Sequence, residues 1–180
     1  MKNFERKRLV GSWQLHRWFI TYEDGSVTEP LGEEAVGLLV YTSDGWMSAA
    51  MMAADRPRLS RGNPRAAPVN ERAAAFDTYF GYCCRWRIVG QAVEHHVTIS
   101  HNPALVGTVQ TRKIQMRGRT LTLSAQEIVP GGLRVHRLQW RPAPAQQAAL
   151  GALRGKPAGT AGKQTVRKTA GGKMAARKSK

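Results

Sequence analysis

Acidic residues are missing from the last forty positions of this 180-residue chain. All twelve Asp and Glu lie in residues 1–140 beside eighteen Lys and Arg, a balance of +6. Residues 141–180 hold the other ten Lys and Arg, a balance of +10. This division predicts a globular unit followed by a strongly basic tail. Long apolar runs are also missing: none approaches the roughly 20 residues of a membrane-spanning helix. The opening stretch M-K-N-F-E-R-K-R-L-V is charged and lacks the apolar core of a secretory signal. The expected address is therefore cytoplasmic, or the nucleus or nucleoid if the tail is functional. Cysteine is scarce. Cys83 and Cys84 are adjacent, and neighbouring strand residues point to opposite faces, so a bridge between them would be strained. Two free thiols, at least one of them buried, fit a reducing compartment. No Ser-His-Asp order, P-loop, G-x-G-x-x-G or paired-carboxylate motif stands out. No catalytic residue, metal ligand or cofactor is assigned, and whether the chain is an enzyme stays open, leaning against.

What is present is a succession of short β-rich segments. Val36 to Thr42 is apolar, Ser43-Asp44-Gly45 supplies a tight turn, and Trp46 to Met52 resumes. Upstream, Trp13, Leu15, Arg17 and Phe19 alternate with Gln14, His16, Trp18 and Ile20, with large apolar residues on both faces towards the end. Val27 to Pro30 is a short extended piece. Asp55 to Pro68, with three prolines and four arginines, reads as a surface loop. Asn70 is placed to cap a helix through E-R-A-A-A-F-D-T-Y-F-G-Y, with Glu71 in its first turn and Gly81 near its end. Phe76, Tyr79 and Phe80 would share its packed face. Further strands follow at Cys83 to Val89, Ala92 to Ser100, Val109 to Met116, Thr120 to Gln126 and Leu133 to Arg141. Regular short strands with glycine turns and one isolated helix predict an all-β, antiparallel up-and-down barrel over residues 1–141, with a tail over 142–180.

These residues also carry a resemblance. Gly11-Ser12-Trp13 opens the first strand as G-x-W, the mark of lipocalin and calycin barrels. The runs L-V-G-S-W-Q-L, P-L-G-E-E-A-V-G-L-L-V-Y-T-S-D-G-W-M-S-A, A-A-A-F-D-T-Y-F-G-Y, V-E-H-H-V-T-I-S and N-P-A-L-V-G-T-V-Q-T-R resemble the lipocalin-like domain family, in order, over about residues 9 to 141. The resemblance implies a calycin-type barrel with Trp13 closing one end. It also implies a late basic residue packed over that tryptophan, for which Arg137, Arg141 and Arg112 are candidates. A barrel of about eight strands is filled by side chains or holds one small ligand.

Within such a barrel His95 and His96 face opposite ways. Val93, His95, Val97 and Ile99 form the more apolar face, so His95 is expected inward and His96 outward. His95 is then either a buried neutral histidine with one hydrogen bond, or an imidazole that positions a polar ligand or acts on it as a base; a barrel isomerase or cyclase would work with His95 or Tyr82. Tyr41, Met47, Tyr82, Trp86, His95, Arg112 and Trp140 form the expected ligand-binding set, apolar walls with a few polar tips. The expected partner is a small, partly apolar molecule in the barrel.

Gly155 to Lys180 has too little apolar surface to offset chain entropy and is expected to be disordered. Lys163 to Lys173, K-Q-T-V-R-K-T-A-G-G-K, resembles the amino-terminal tail of the core histone called histone three, with departures at Val166, Thr169 and Ala170. Ala175 to Ser179 matches a further segment of that tail. The resemblance implies Lys163, Lys168, Lys173 and Lys178 as acceptors of methyl or acetyl groups. The partners expected of the tail are nucleic acid or histone-modifying enzymes.

Overall fold

The computed structural model describes residues 4–144. Lys163, Lys168, Lys173 and Lys178, with the histone-like segment, lie outside the described residues. Nine strands run in chain order: β1 (Gly11–Tyr22), β2 (Val27–Thr28), β3 (Val36–Tyr41), β4 (Trp46–Met52), β5 (Tyr79–Val89), β6 (Ala92–Ser100), β7 (Val109–Arg117), β8 (Thr120–Val129) and β9 (Gly132–Pro142). Each pairs antiparallel with the next from β3 to β9, and β1 pairs with both β3 and β9. The result is a closed eight-strand up-and-down barrel, with β2 added to the far end of β1 through Ile20↔Thr28. Closure leaves no long unpaired edge among these eight strands, which is how all-β domains avoid edge-to-edge association.

The central hairpin forms as its sequence predicts. At the turn between β3 and β4, Gly45 sits at φ +95°, a conformation that L side chains avoid. Its N–H reaches Thr42 O at 3.2 Å, and Thr42 N–H reaches Trp46 O at 2.9 Å. Gly37 serves close approach instead. A Cβ there would lie 2.7 Å from Met51 Cγ and 3.0 Å from the Ala50 carbonyl oxygen.

Two bulges set which side chains enter the barrel. On β1 the pairing with β9 shifts between Leu15 and Arg17, making His16 an extra residue. The inward set therefore changes from Trp13 and Leu15 to Trp18 and Ile20. Arg17 and Phe19 are left outside, where the Arg17 guanidinium lies 4.7 Å from the Phe19 ring. On β6 the pairing with β5 passes from Ile99 to Val97, making Thr98 the extra residue. Ile99, expected on the inner face, is 66% exposed. The bulge breaks the alternation that sequence reading extrapolates.

The helix α1 (Val69–Asp77) is shorter than expected and begins earlier. Pro68, not Asn70, occupies its N-cap position. Tyr79 to Tyr82 belong to β5, where they pair with Met52 back to Ala49. Bonding to β4 overrides local helix propensity here. Glu71 does lie in the first turn, and its side chain accepts from Ser60 N–H at 2.8 Å.

One end of the barrel is closed by the residues before β1. Phe4 N–H donates to Gly90 O at 2.8 Å, and a single 3-10 turn, Arg6–Arg8, leads into Leu9. Leu9 is 0% exposed, and its carbonyl accepts Trp13 Nε1–H at 2.8 Å. Among the described residues, no cation lies over Trp13, so the late-arginine expectation is not met. Arg137 lies 6.0 Å from the Phe19 ring and bonds Thr21 Oγ1 at 2.5 Å. Arg141 bonds His16 at 3.0 Å, and Arg112 points into the barrel. The cation at this end is an early one: Arg6 lies 4.7 Å from the Trp86 ring centroid. No helix among the described residues is long and apolar enough to cross a membrane.

Candidate functional site

Inward positions of successive strands converge on His95. On β5 these are Phe80, Tyr82, Cys84 and Trp86; on β6, Val93, His95 and Val97; on β7, Gln110, Arg112 and Ile114. Tyr41, the last residue of β3, enters from the closed end. His95 is 1% exposed, and both ring nitrogens are occupied. Tyr41 Oη lies 2.7 Å from Nε2, and Tyr82 Oη lies 2.7 Å from Nδ1. The expectation of one hydrogen bond is thus exceeded by one. Trp86 packs edge-on to Tyr41, with ring centroids 4.8 Å apart.

Burial governs the charge state of this group. It pushes His95 down to about 3, helped by the positive charge of Arg112, so the imidazole is neutral at physiological pH. It pushes Tyr82 up to about 12 and Tyr41 well above the usual tyrosine range. The Cys84 thiol, beside them, is likewise pushed up to about 12 by burial. Cys84 is fully buried, whereas Cys83 is partly exposed with Sγ 3.2 Å from Ser48 Oγ, and both are free thiols.

Above the Tyr41–His95–Tyr82 group the barrel opens into a cavity of about 480 Å³. Its apolar wall includes Leu39, Met51, Leu123, Leu138 and Trp140. Its polar lining includes Tyr82, His95, Gln110 and Arg112 at depth, with Asn102 from the loop after β6. Glu127, Arg134 and His136 stand at the mouth. Arg134 Nε donates to Glu127 Oε2 at 2.8 Å, and His136 Nε2 lies 3.2 Å from the same oxygen. These bonds hold Glu127 below the usual carboxylate range, the Arg134 hydrogen bond contributing most. Trp18 packs between Phe80 and His136, at 5.6 and 6.3 Å.

Of the seven expected ligand-binding residues, Tyr82, His95, Arg112 and Trp140 line the cavity. Tyr41 touches it only through His95. Met47 and Trp86 are buried in the closed end and do not line it. His96 points out, 3.2 Å from Glu94 Oε2. His101 stacks on Phe76 with ring centroids 4.0 Å apart, tying α1 to the loop after β6. Sequence reading missed Trp18, Phe80, Gln110 and His136 as lining residues. The first was hidden by the His16 bulge and the second by the overlong helix. For Gln110 a signal existed, its alternation with Arg112.

Two groups of donors stand out at this site. Arg112 gives Nη1–H to Thr111 O at 3.1 Å and Nη2–H to Gln110 Oε1 at 3.3 Å. No carboxylate pairs with it among the described residues. The indole Nε1 atoms of Trp18 and Trp140 are buried with no hydrogen-bond partner. An indole nitrogen can only donate, so each needs an acceptor.

Comparison with known proteins adds the following. No curated protein matches the chain significantly. A solved structure described as a biogenic amine-binding protein, as its selenomethionine derivative, is similar at TM-score 0.38 and 10% identity, covering 85% of this chain and 74% of that one. A likeness at that level carries no argument here. The family model for the lipocalin-like domain matches residues 10–142, the span of the closed barrel from the start of β1 to the end of β9. By that match and by its own strand order, the chain belongs to the lipocalin-like domain family.

Proposed function

We propose that the barrel binds one small, partly apolar molecule in the cavity above Tyr82 and His95. The observation that carries this reading is the cavity itself. Its volume of about 480 Å³ falls within the roughly 300–1,000 Å³ of small-molecule sites. Its two-zone lining, apolar walls over a few convergent polar groups, is the composition such sites use. The hydrogen-bonding of His95 favours positioning over base catalysis. Both nitrogens are engaged, and an imidazole titrating near 3 accepts a proton poorly at neutral pH.

The test is a titration with N-phenyl-1-naphthylamine, an apolar dye that brightens when it leaves water. Saturable one-to-one enhancement is expected, and Ala125→Trp, which fills the cavity towards its mouth, is expected to abolish it with the circular dichroism spectrum retained. Enhancement that persists in that variant would remove the cavity as the binding place.

A second reading concerns residues 142–180. The +10 balance of residues 141–180 supports electrostatic contact with nucleic acid, independent of the barrel. Deleting residues 142–180 is expected to abolish binding to a DNA duplex at moderate salt. Binding that survives the deletion would contradict this reading.

A further inference from the structure

The cavity floor has a direction. A neutral imidazole carries one N–H and one bare nitrogen, so of the two tyrosines on His95 one donates and the other accepts. Tyr41 is 1% exposed, and its hydroxyl has no partner but His95 among the described residues. Were Tyr41 the acceptor, its own hydroxyl hydrogen would be buried without a partner, at the full desolvation penalty of an unmade hydrogen bond. Tyr41 therefore donates to Nε2, the ring proton sits on Nδ1, and Nδ1–H donates to Tyr82 Oη. Tyr82 lines the cavity, and its hydroxyl hydrogen is the one left free.

We infer that Tyr41, His95 and Tyr82 form a one-way hydrogen-bond chain that turns the Tyr82 hydroxyl hydrogen into the cavity, where it and the Arg112 guanidinium form a subsite for the carboxylate of an apolar acid. The inference rests on the binding reading above and names its ligand class. Two observations converge on it. Arg112 is an inward cation with no carboxylate partner among the described residues, and an arginine fork matches a carboxylate in shape and charge. The floor is held in its neutral form: His95 is uncharged and both tyrosines keep their protons at physiological pH. The lining carboxylate, Glu127, is already bonded to Arg134 and His136 at the mouth. A cationic ligand would meet Arg112 at depth with no free acid to receive it.

The experiment displaces N-phenyl-1-naphthylamine from the full-length protein at pH 7.5 with three ligands of one chain length: decanoate, decanol and decylamine. Decanoate is expected to compete roughly tenfold or more better than decanol, the worth of a charge-assisted hydrogen bond, and decylamine worst. Failure of the dye to bind, or of all three to displace it, would overturn the binding reading itself. Displacement by decanol as strong as by decanoate, or strongest by decylamine, would leave that reading standing and overturn the carboxylate subsite. Arg112→Met is expected to bring the decanoate-to-decanol ratio close to one, and an unchanged ratio in the folded variant would contradict the assignment. The direction of the chain has its own readout in the wild-type protein. Nitrogen-15 NMR of His95 is expected to show the proton on Nδ1 and a bare Nε2, and the opposite tautomer would overturn the one-way chain.

Discussion

The two halves of the barrel are built from the same strands and differ in what fills them. At the closed half, Leu9, Trp13, Tyr41, Met47, Trp86, Val93 and Leu121 are all buried, and a backbone segment from Phe4 to Leu9 covers the end. At the open half, the same strands contribute Trp18, Phe80, Leu123, Leu138 and His136 around about 480 Å³ of space. The Tyr41–His95–Tyr82 group is the floor between them. Leu121 and Leu123 show the contrast within one strand. They share the inner face of β8, two positions apart, yet Leu121 is fully enclosed and Leu123 faces the cavity. The difference teaches that side-chain alternation specifies a barrel, while cover at the ends decides where it is solid and where it is hollow.

Breaking the closed half should cost most. Trp13→Ala removes a buried ring and leaves the Leu9 carbonyl without its donor, and is expected to destabilise by about 3–5 kcal/mol in urea titration. The floor should give the next effect, through pH. His95 titrates at about 3 in the folded chain against the ordinary 6.5. Between those values the unfolded chain binds the proton and the folded chain does not, so stability falls as pH falls. The loss should approach about 1.4 kcal/mol per pH unit below pH 6.5. It should be absent above pH 6.5 and weaker in His95→Gln. Urea midpoints measured from pH 7 to pH 4 check the slope, and a flat profile would show that His95 is not buried neutral.

The leucine pair sharpens the contrast. Leu121→Ala is expected to cost about 3 kcal/mol and Leu123→Ala about 1–2 kcal/mol less, because Leu123 already lacks packing partners on its cavity side. Equal losses would mean that the cavity collapses around Leu123. The smallest effect is expected from Arg6→Ala. It removes a cation held 4.7 Å from the Trp86 ring and should cost roughly 0.5–1 kcal/mol. It should not change dye binding in the opposite half.

Much of this architecture was legible from local chemistry. Asp44-Gly45 fixed the central hairpin, and β4 and β6 were bounded correctly from their residues alone. The inward path of His95 followed from alternation with Val93 and Val97. What was hidden depended on partners distant in sequence. The bulges at His16 and Thr98 arise from register with β9 and β5, and they sent Trp18 inward and Ile99 outward. Tyr79 and Phe80 read as helix until β4 offered them backbone partners. Met47 and Trp86 alternate as properly as Tyr82 does. Only the cover supplied by Phe4 to Leu9 makes their end a packed core rather than a cavity wall.

The most direct measurement follows the five tryptophan indole N–H resonances by ¹H–¹⁵N NMR while decanoate is added. Trp18 and Trp140 line the cavity and carry unpaired indole donors, so their signals are expected to move and saturate together. Trp13 is bonded to Leu9 O at the closed end, and Trp46 lies on the outer surface under Arg85, so theirs should stay in place. Movement of Trp46 alone, or no movement of Trp18 and Trp140 at saturating decanoate, would contradict a ligand held in the open half of the barrel.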